Sequence, residues 1–483
     1  MRTMHSFYTA AACLLAATLA GCASPGDSGA RAKLLDPNSL EGGAAIAAAA
    51  DKAGWPRGDW WRELRDAQLD GLMSAALAGN PNLQAAEARL AQARALAGVA
   101  EAATRPQAAG ELSLTRQRYS EQDFIPPPEA GNYSWYNHAS LNAGYDLDLW
   151  GRQRATLAAA LDQAEMLAAE AQLARLNLAA AIVRDYARLA VQYEVKDLLG
   201  DSLAQRERFL LLAKKRKAAG LGTEAEVVLQ ESRLPALRNQ LEQVDENISL
   251  LGKQLAALAG KGPGSGDKLT RPLLKLSDGE ATLPSALPAE LIGRRPDVAA
   301  RRWQAEAEAK KIDAARAAFY PNINLSAFIG FQAIGFDNFP SSSTAIRGVG
   351  PAITLPIFEG GRLRSQLGAQ SAAYDAAVAG YNASVVHALN EIAAAVVRSR
   401  SLAEQQKQAE QARASAERAL KLAQQGYRAG LSEQDGVLSA RLSLLDARQQ
   451  LARIHGERLD SYAALMSALG GGAQTPAPQE ARR

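Results

Sequence analysis

Several stretches of the chain alternate apolar and polar residues with a period of two. They are "ASLNAGYDLDL" at 139–149, "INLSAFIGF" at 323–331 and "VGPAITLPI" at 349–357, and Leu112 and Leu114 show the same pattern upstream. Such alternation predicts strands with one apolar and one polar face. We therefore expect four strands, arranged as two hairpins.

Two environments suit strands of this kind: a half-buried antiparallel sheet in a soluble domain, and a transmembrane barrel with about 9–11 residues per strand. The strand lengths and the export signal described below favour the barrel. Four strands are too few to enclose a lumen, and hydrocarbon does not tolerate an open sheet edge. The predicted barrel must therefore be assembled from several chains.

Between the strands the composition is helical. No proline occurs at about 155–219 or 365–428, and at 1.5 Å per residue each predicted helix is about 95 Å long. The helix that returns in the first half has apolar residues at alternating spacings of three and four: Leu234, Leu237, Leu241, Val244, Ile248, Leu251, Leu255 and Leu258. This spacing predicts a coiled-coil seam, which Pro235 is expected to bend or restart. A soluble antiparallel coiled coil would explain these helices but neither the strands nor the N-terminus.

The turns between paired helices are "AAGLGTEAE" and "RAGLSEQD". Gly220 and Gly430 suit the left-handed conformation past a helix end. Two residue pairs have capping-box spacing at the start of the next helix: Thr223 with Glu226, and Ser432 with Asp435. These features predict tight hairpin tips, either as docking surfaces or simply as well-formed turns.

The chain contains an internal duplication. Pro81 and Pro106 flank an Ala- and charge-rich segment, and Pro296 and Pro321 flank a similar one 215 positions later. Further glycines recur 210 positions on: Gly151, Gly220 and Gly260.

We expect these boundaries: a signal peptide at 1–21, an N-terminal segment with a first periplasmic helix at 22–79, repeat 1 at 80–260, a linker at 261–294, repeat 2 at 295–470 and a disordered tail at 471–483. Each repeat is expected to hold a short helix, a β-hairpin and a long helix pair.

The four prolines are predicted to mark the ends of the short helices. Proline disfavours helix in the preceding residue, so Pro106 and Pro321 are expected where a helix changes into a membrane strand. Pro81 and Pro296 suit a first helical turn, where no amide hydrogen bond is lost.

The N-terminus has the pattern of a signal peptide. Arg2 is followed by the apolar "AACLLAATLA", and Leu19 to Cys22 resembles the lipobox at which bacterial lipoproteins are cleaved and acylated. Cys13 would be removed, so Cys22 would remain as the single cysteine and no internal disulfide could form. An ordinary secreted protein is the alternative. Ala23 favours the outer over the inner membrane, and no later stretch reaches the ~18 apolar residues of a transmembrane helix.

Composition excludes several function classes. Lys and Arg number 54 and Asp and Glu 51, giving a net charge of +3, so no nucleic-acid partner is indicated. The four histidines are isolated, and neither a metal-ligand cluster nor a catalytic motif is present. We expect no enzyme activity, no metal and no cofactor, apart from covalent acyl and diacylglycerol lipid on Cys22.

Four stretches carry a resemblance that covers nearly the whole mature chain: "DWWRELRDAQLDGLMSAALAGNPNL" (59–83), "RRPDVAARRWQAEAEAKKIDAARAAFYPNINLSA" (294–327), "LPIFEGGRLR" (355–364) and "YRAGLSEQDGVLSARLSLLDAR" (427–448). Together they resemble the outer-membrane factor family, the TolC-like exit ducts of tripartite efflux pumps, and within it the lipoprotein branch of the OprM/NodT type. The resemblance implies a mainly α fold with a transmembrane β-barrel, assembled as a homotrimer with twelve strands. It also implies a location in the outer membrane, lipid-anchored and extending into the periplasm.

The resemblance further implies partners and site residues. The partners would be a second and third copy of the chain, a periplasmic adaptor protein, an inner-membrane RND-type pump and outer-membrane lipid. Peptidoglycan is a further candidate partner. Adaptor contacts are expected at the hairpin tips: Gly220, Leu221, Gly430, Leu431 and Ser432. Tyr427 matches a family tyrosine of the periplasmic gate. The best-known member carries acidic residues where this chain has Gly436 and Ser439, so only Asp435 could supply a ring of charge to the pore.

Three functions remain open at this stage. A passive duct for small molecules such as drugs is favoured. The exit duct of a type I protein secretion system is the alternative. A structural lipoprotein coiled coil without a pore is the third.

Overall fold

The same order of helices and strands occurs twice along the chain. The computed structural model describes residues 29–41, 43–51, 55–275, 283–284 and 293–473. Ahead of the repeats lie helix α1 (Gly43–Ala49), strand β1 (Ala50–Asp51), a 3₁₀ helix (Trp60–Leu64) and helix α2 (Ala67–Gly79). The first repeat comprises α3 (Pro81–Ala102), β2 (Gln107–Arg118), β3 (Tyr133–Asp146), α4 (Arg152–Ala218) and α5 (Glu224–Leu258). Strand β4 (Leu283–Pro284) follows and pairs in parallel with β1. The second repeat comprises α6 (Pro296–Ala317), β5 (Asn322–Ile334), β6 (Ala345–Thr354), α7 (Arg362–Arg428) and α8 (Gln434–Ala468).

Prolines lie at both ends of the short helices. Pro81 and Pro296 are the first residues of α3 and α6, where the missing amide hydrogen would have had no partner within the helix. Pro106 and Pro321 lie directly before β2 and β5, a few residues after the preceding helix has ended. Each repeat therefore changes from helix to strand over a short segment that ends in proline.

The start of each short helix is tied to the end of the last helix in its repeat by the same kind of hydrogen bond. Asn80 Nδ2 donates to the carbonyl oxygen of Leu258 at 2.9 Å, and Arg295 Nη1 donates to that of Ala468 at 3.0 Å. Both donors directly precede the helix-opening proline, and both acceptors are the last residue of a helix. These bonds satisfy carbonyls that a helix end leaves without a partner.

A glycine follows each of these helix ends and allows the backbones to approach closely. Gly260 and Gly470 have φ values of 68° and 82°. A Cβ on Gly260 would lie 2.1 Å from the oxygen of Gly79, and one on Gly470 would lie 2.0 Å from the oxygen of Arg294. Only glycine fits both the left-handed backbone and the short approach.

The long helices have the predicted extent. Helices α4 and α7 each contain 67 residues, which corresponds to about 100 Å. The predicted seam of α5 is buried at Leu234, Val244 and Leu255. The expected restart at Pro235 is wrong, because α5 continues through it as one helix, and the expected bend there stays a prediction. Packing along the seam offsets the single backbone hydrogen bond that proline removes.

One of the two predicted capping boxes is present. The Thr223 hydroxyl accepts from the Glu226 amide, and Glu226 bonds back to the Thr223 amide. The second box, Ser432 with Asp435, is wrong, because α8 starts one residue later and has Glu433 as its N-cap without a side-chain bond. The Glu433 carboxylate instead bonds to Arg216, and Gly436, at the third helical position, has no side chain to complete a box.

The four long strands form one antiparallel sheet in the order β2-β3-β5-β6. The register aligns apolar residues on one face: Leu112 opposite Ala139, Ala139 opposite Phe331, and Ala327 opposite Val349. Large side chains on this face are exposed to the surroundings of the chain: Leu112, Leu141, Ile329, Val349 and Ile353. The other face is largely polar and includes Ser113, His138 and Gln332 side by side. Within the described residues, the outer edges of β2 and β6 pair with no further strand.

The strands end earlier than their alternation predicts. Strand β3 ends at Asp146 and β6 at Thr354, so four residues predicted in strands follow them: Leu147, Leu149, Leu355 and Ile357. After β3, the Asp148 carboxylate accepts from the amides of Gln153 and Arg154 and so caps α4. After β6, Pro356 has no amide hydrogen to donate to a ladder.

By length and composition, one helix among the described residues could cross a membrane. It is α4, in which an 18-residue window passes the usual hydropathy criterion. This differs from the prediction that no stretch would qualify. The core helix of a soluble domain passes the same test, so α4 by itself is weak evidence for a helical span.

The described residues divide into two compact units that each combine parts of both repeats. One consists of Leu90–Leu167, Arg301–Tyr381 and the N-terminal residues up to Leu34, and it includes the four-stranded sheet; the other holds the remaining described residues. The core of the second unit contains Trp60, Met73 and Tyr186, all fully buried. Beside it, the Asp66 carboxylate accepts four hydrogen bonds, from Gln68 N, Leu69 N, Tyr186 Oη and Leu273 N.

Candidate functional site

The two hairpin tips have nearly identical backbones. Gly220 and Gly430 both have φ of 74°. At the first tip the Leu221 amide donates to the carbonyl of Arg216 at 2.8 Å, and at the second the Leu431 amide donates to that of Gly426 at 2.9 Å. These bonds satisfy the last carbonyls of α4 and α7 and fix the turns. As a result each tip presents one leucine at a defined position.

Both tip leucines are strongly exposed. The exposed fraction is 72% for Leu221 and 84% for Leu431. Scattered exposed leucines are common on proteins, but here the same apolar residue stands in the same fixed turn of both repeats. The tips can therefore offer matched apolar contacts to a partner.

An ion pair joins the first tip to the second. Arg216 Nη1 lies 3.1 Å from Glu433 Oε2, and the two residues belong to different hairpins. Other ion pairs near the tips stay within one hairpin, as between Lys214 and Glu231 at 2.7 Å. Sequence patterns did not single out Arg216 or Glu433, because the residues lie 217 positions apart.

The structure shows the two predicted gate residues on the surface of the chain. Tyr427 and Asp435 are exposed, and no hydrogen bond or ion pair joins them in the described part of the chain. Ser432 lies beside Gly426. Cys22 lies outside the described residues. The adaptor, gate and lipidation roles of these residues stay predictions.

The inner end of the sheet, where strands meet helices, carries exposed aromatic residues. The Trp150 ring stacks on Tyr320 with centroids 4.6 Å apart, and Trp150 Nε1 donates to the carbonyl of Pro321 at 2.9 Å. Phe358, after β6, is 89% exposed. An open cleft of about 1190 Å³ lies among these residues and the ends of α4, α6 and α7.

The opposite end of the sheet also carries aromatic residues. Trp135 and Phe336 pack with ring centroids 5.6 Å apart, and Tyr133 is exposed beside them. An exposed apolar band between two aromatic girdles is typical of strands that cross a bilayer. The girdles were not predicted from the sequence, although Trp150 and Tyr320 adjoin the predicted junctions.

The titratable groups of the described residues include carboxyls with raised pKa values. No group of three or more His, Cys, Asp or Glu there could hold a metal ion. Among the carboxyl groups, half-buried Asp162 on α4 has a pKa that is raised to about 6, first by desolvation and then by the charge of Glu306. Lys310 opposes this shift and Glu165 adds to it. This raised pKa of Asp162 makes the stability of the protein depend on pH.

We expect Asp162→Asn to stabilise the protein at pH 7 and to change nothing at pH 4. A raised carboxyl pKa means that the native state binds more protons than the unfolded state between the unperturbed value and about 6, so stability falls as pH rises through that window. Because the group is half exposed, the gain should be about 1 kcal/mol. Thermal unfolding of both proteins at the two pH values measures it, and equal melting temperatures at pH 7 would contradict the assignment.

Comparison with known proteins is consistent with this geometry. Residues 72–261 and 287–471 match the family described as "Outer membrane efflux protein". The "Fusaric acid resistance protein FusA" of Burkholderia cepacia is 46% identical over 369 residues, which is 75% of this chain and 69% of that protein. The "Multidrug resistance outer membrane protein MdtQ" of Escherichia coli is 33% identical over 476 residues, covering 97% of this chain and 98% of MdtQ.

The fold is shared with solved outer-membrane channels. The outer membrane protein VceC of Vibrio cholerae superposes with a TM-score of 0.79 at 37% identity, covering 86% of this chain and 100% of VceC. The outer-membrane channel OprN gives a TM-score of 0.79 at 26% identity, covering 93% of this chain and 98% of OprN. The mainly helical architecture with a small antiparallel sheet is therefore the TolC-like fold. The chain belongs to the outer membrane efflux protein family.

Proposed function

We propose that the chain forms the exit duct of a tripartite efflux pump in the outer membrane. One observation carries the proposal: the four-stranded sheet exposes an apolar face between two aromatic girdles, and among the described residues no further strand pairs with either of its edges. A lipid environment suits the face, and the edges require further copies of the chain to close a barrel. Three copies would supply twelve strands and the same number of long helices.

The duct is proposed to conduct small molecules passively. Relatives named for fusaric acid resistance and for multidrug resistance support this substrate class. The tip leucines, Leu221 and Leu431, would contact the periplasmic adaptor, and an inner-membrane pump of the RND type would supply the energy. Tyr427 and Asp435 are proposed to line the periplasmic constriction.

Lipid anchoring at Cys22 is part of the proposal. Arg31 N and Ala32 N both donate to Asp375 Oδ1 on α7 at 2.9 Å, which docks the N-terminal segment about 20 Å along the helix from its start at Arg362. The nine peptide bonds between Cys22 and Arg31 limit this segment to a span of about 30 Å, enough to return to the membrane end of the helix. The mass of the N-terminal peptide from membrane-extracted protein tests for the acyl groups.

Two measurements test the duct. Purified protein should give ion conductance in planar bilayers, and a coiled coil without a pore would give none. A deletion strain should become sensitive to small toxic compounds and recover with the intact gene. Loss of a secreted protein with unchanged compound sensitivity would support the type I secretion alternative instead.

Glu433→Ala is expected to raise the open probability of the duct. The variant removes the Arg216–Glu433 pair that joins the two hairpin tips. An exposed pair contributes about 0.2–1 kcal/mol, which shifts a two-state equilibrium by about 1.4- to 5-fold. Single-channel recording measures the change. Glu231→Ala is the matched control, since it removes an ion pair within one hairpin and should leave the open probability unchanged; equal effects of both variants would contradict the role of the inter-hairpin pair.

A further inference from the structure

The apolar face of the sheet carries positive charge and no negative charge. The strand register places three charged residues on this face within β2, β3, β5 and β6, and all are arginines: Arg116, Arg118 and Arg347. The carboxylates of these strands, Glu111 and Asp146, lie on the opposite face. A charge on a face otherwise suited to hydrocarbon is costly unless it can reach an interface or a counter-ion. The segregation by sign indicates an anionic counter-ion.

Two of the arginines stand beside aromatic rings at the end of β2 farthest from the helices. Arg116 is directly opposite Trp135, and Arg118 is directly opposite Tyr133. Directly opposed residues of an antiparallel pair project from the same face with neighbouring Cβ atoms. Arg118 has an exposed carboxylate neighbour, Glu121, at 3.3 Å. The Arg116 side chain forms no hydrogen bond or ion pair with the described residues, so its five guanidinium donors are available.

The aromatic part of this cluster is held in place by the next hairpin. The Gly335 amide donates to the carbonyl of Trp135 at 2.8 Å, and the fully buried Asn137 donates from Nδ2 to the carbonyl of Gly335 at 2.7 Å. Gly335 has φ of 78°, a conformation that favours glycine. These two bonds direct Phe336 onto the Trp135 ring. The arginines therefore border a fixed aromatic platform.

We propose that Arg116 and Arg118, together with this platform, bind the phosphate groups of the phosphorylated glycolipid in the outer leaflet. Guanidinium groups bind phosphate oxygens through paired hydrogen bonds that a single ammonium cannot reproduce. Aromatic residues at the interface pack against the saccharide and the upper acyl chain. The proposal rests on the proposed function, because it requires the sheet to span the membrane with its hairpin loops outward.

Native mass spectrometry of the full chain in detergent micelles, with a bisphosphorylated acyl disaccharide as probe, tests the site. The Arg116→Gln/Arg118→Gln variant should bind this lipid at least about tenfold more weakly than the wild type, since two charge-assisted contacts are lost. The matched control is Arg105→Gln/Arg154→Gln, two exposed arginines that flank the inner end of the same hairpin, and this variant should bind within about twofold of the wild type. Equal affinity of the Arg116/Arg118 variant and the wild type would overturn the proposal.

Two further arms define the ligand. The dephosphorylated disaccharide should bind the wild type no better than it binds the Arg116/Arg118 variant, and inorganic phosphate should not displace the glycolipid. If the wild type binds both disaccharides equally, or if inorganic phosphate displaces the lipid, the headgroup assignment is wrong, even where the variant fails to fold. Planar-bilayer conductance separates this result from the duct. If the wild type conducts ions but binds both disaccharides equally, only the lipid site is refuted. If the wild type does not conduct, the proposed function is refuted.

Discussion

Replacing Arg295 by alanine is expected to lower the free energy of unfolding by about 2–3 kcal/mol, because the variant removes a buried charged donor while its carboxylate partners, Asp297 and Glu391, stay partly in water. The side chain is 6% exposed, and its guanidinium donates to Asp297 at 2.7 Å, to Glu391 at 2.6 Å and to the carbonyl of Ala468 at 3.0 Å. Although burial lowers the pKa of Arg295, its hydrogen bonds to the two carboxylates raise it above the usual value. Alanine would leave two carboxylates and a helix-end carbonyl without this donor.

Denaturant unfolding followed by circular dichroism measures this loss. Arg238→Ala is the control, because Arg238 forms an exposed ion pair with Glu207 at 3.2 Å, and its removal should cost at most about 1 kcal/mol. Arg295→Lys should lose an intermediate amount of stability, since a lysine keeps the charge but has a single donor nitrogen, whereas the planar guanidinium donates from three separate nitrogens. A loss of less than 1 kcal/mol for Arg295→Ala would contradict the proposed importance of the cluster.

Gly470→Ala is expected to destabilise the protein by about 3 kcal/mol or more, combining the cost of a left-handed alanine with that of overpacking. Its φ is 82°, and the added Cβ would meet the backbone of Arg294 at 2.0 Å. A backbone atom cannot turn away as a side chain can, so α8 would have to shift from the start of α6. Gly260→Ala should behave similarly in the first repeat, where the Cβ would meet Gly79.

Gly98→Ala provides the opposite control for the glycine variants. Gly98 lies within α3, and a Cβ there would meet no atom within 4 Å. Alanine should stabilise the helix by about 0.5–1 kcal/mol. In thermal melts, the melting temperature should therefore fall for Gly470→Ala and Gly260→Ala and rise for Gly98→Ala. A higher melting temperature for Gly470→Ala would refute the close approach.

Local chemistry made most of the fold predictable. Period-two alternation located the strands, since a sheet with one lipid-facing and one polar side imposes it on every strand. Absence of proline located the long helices, and the prolines themselves lie at the ends of α3 and α6. Strand ends were less predictable, because Leu147 and Leu149 keep the alternation after Asp148 has begun to cap the next helix.

Features that depend on distant residues were not predictable from the sequence. The capping box at Ser432 fits its local pattern, but Glu433 is drawn to Arg216 on another hairpin. Pro235 has a strong local preference against helix, yet the buried seam on both sides keeps α5 intact. The arginine cluster at the outer end of the sheet becomes visible only when the register places Arg116 against Trp135.

The unequal caps of the two hairpin tips have a consequence for assembly. One tip is closed by Thr223 and Glu226, whereas the other lacks a cap and commits its glutamate to the neighbouring hairpin. In the proposed trimer, six hairpin tips would form the periplasmic rim, and the two chemically different kinds of tip would alternate around it. The symmetry of the rim would therefore be threefold and not sixfold. Copies of a binding partner that contact all six tips would fall into two classes with different contacts.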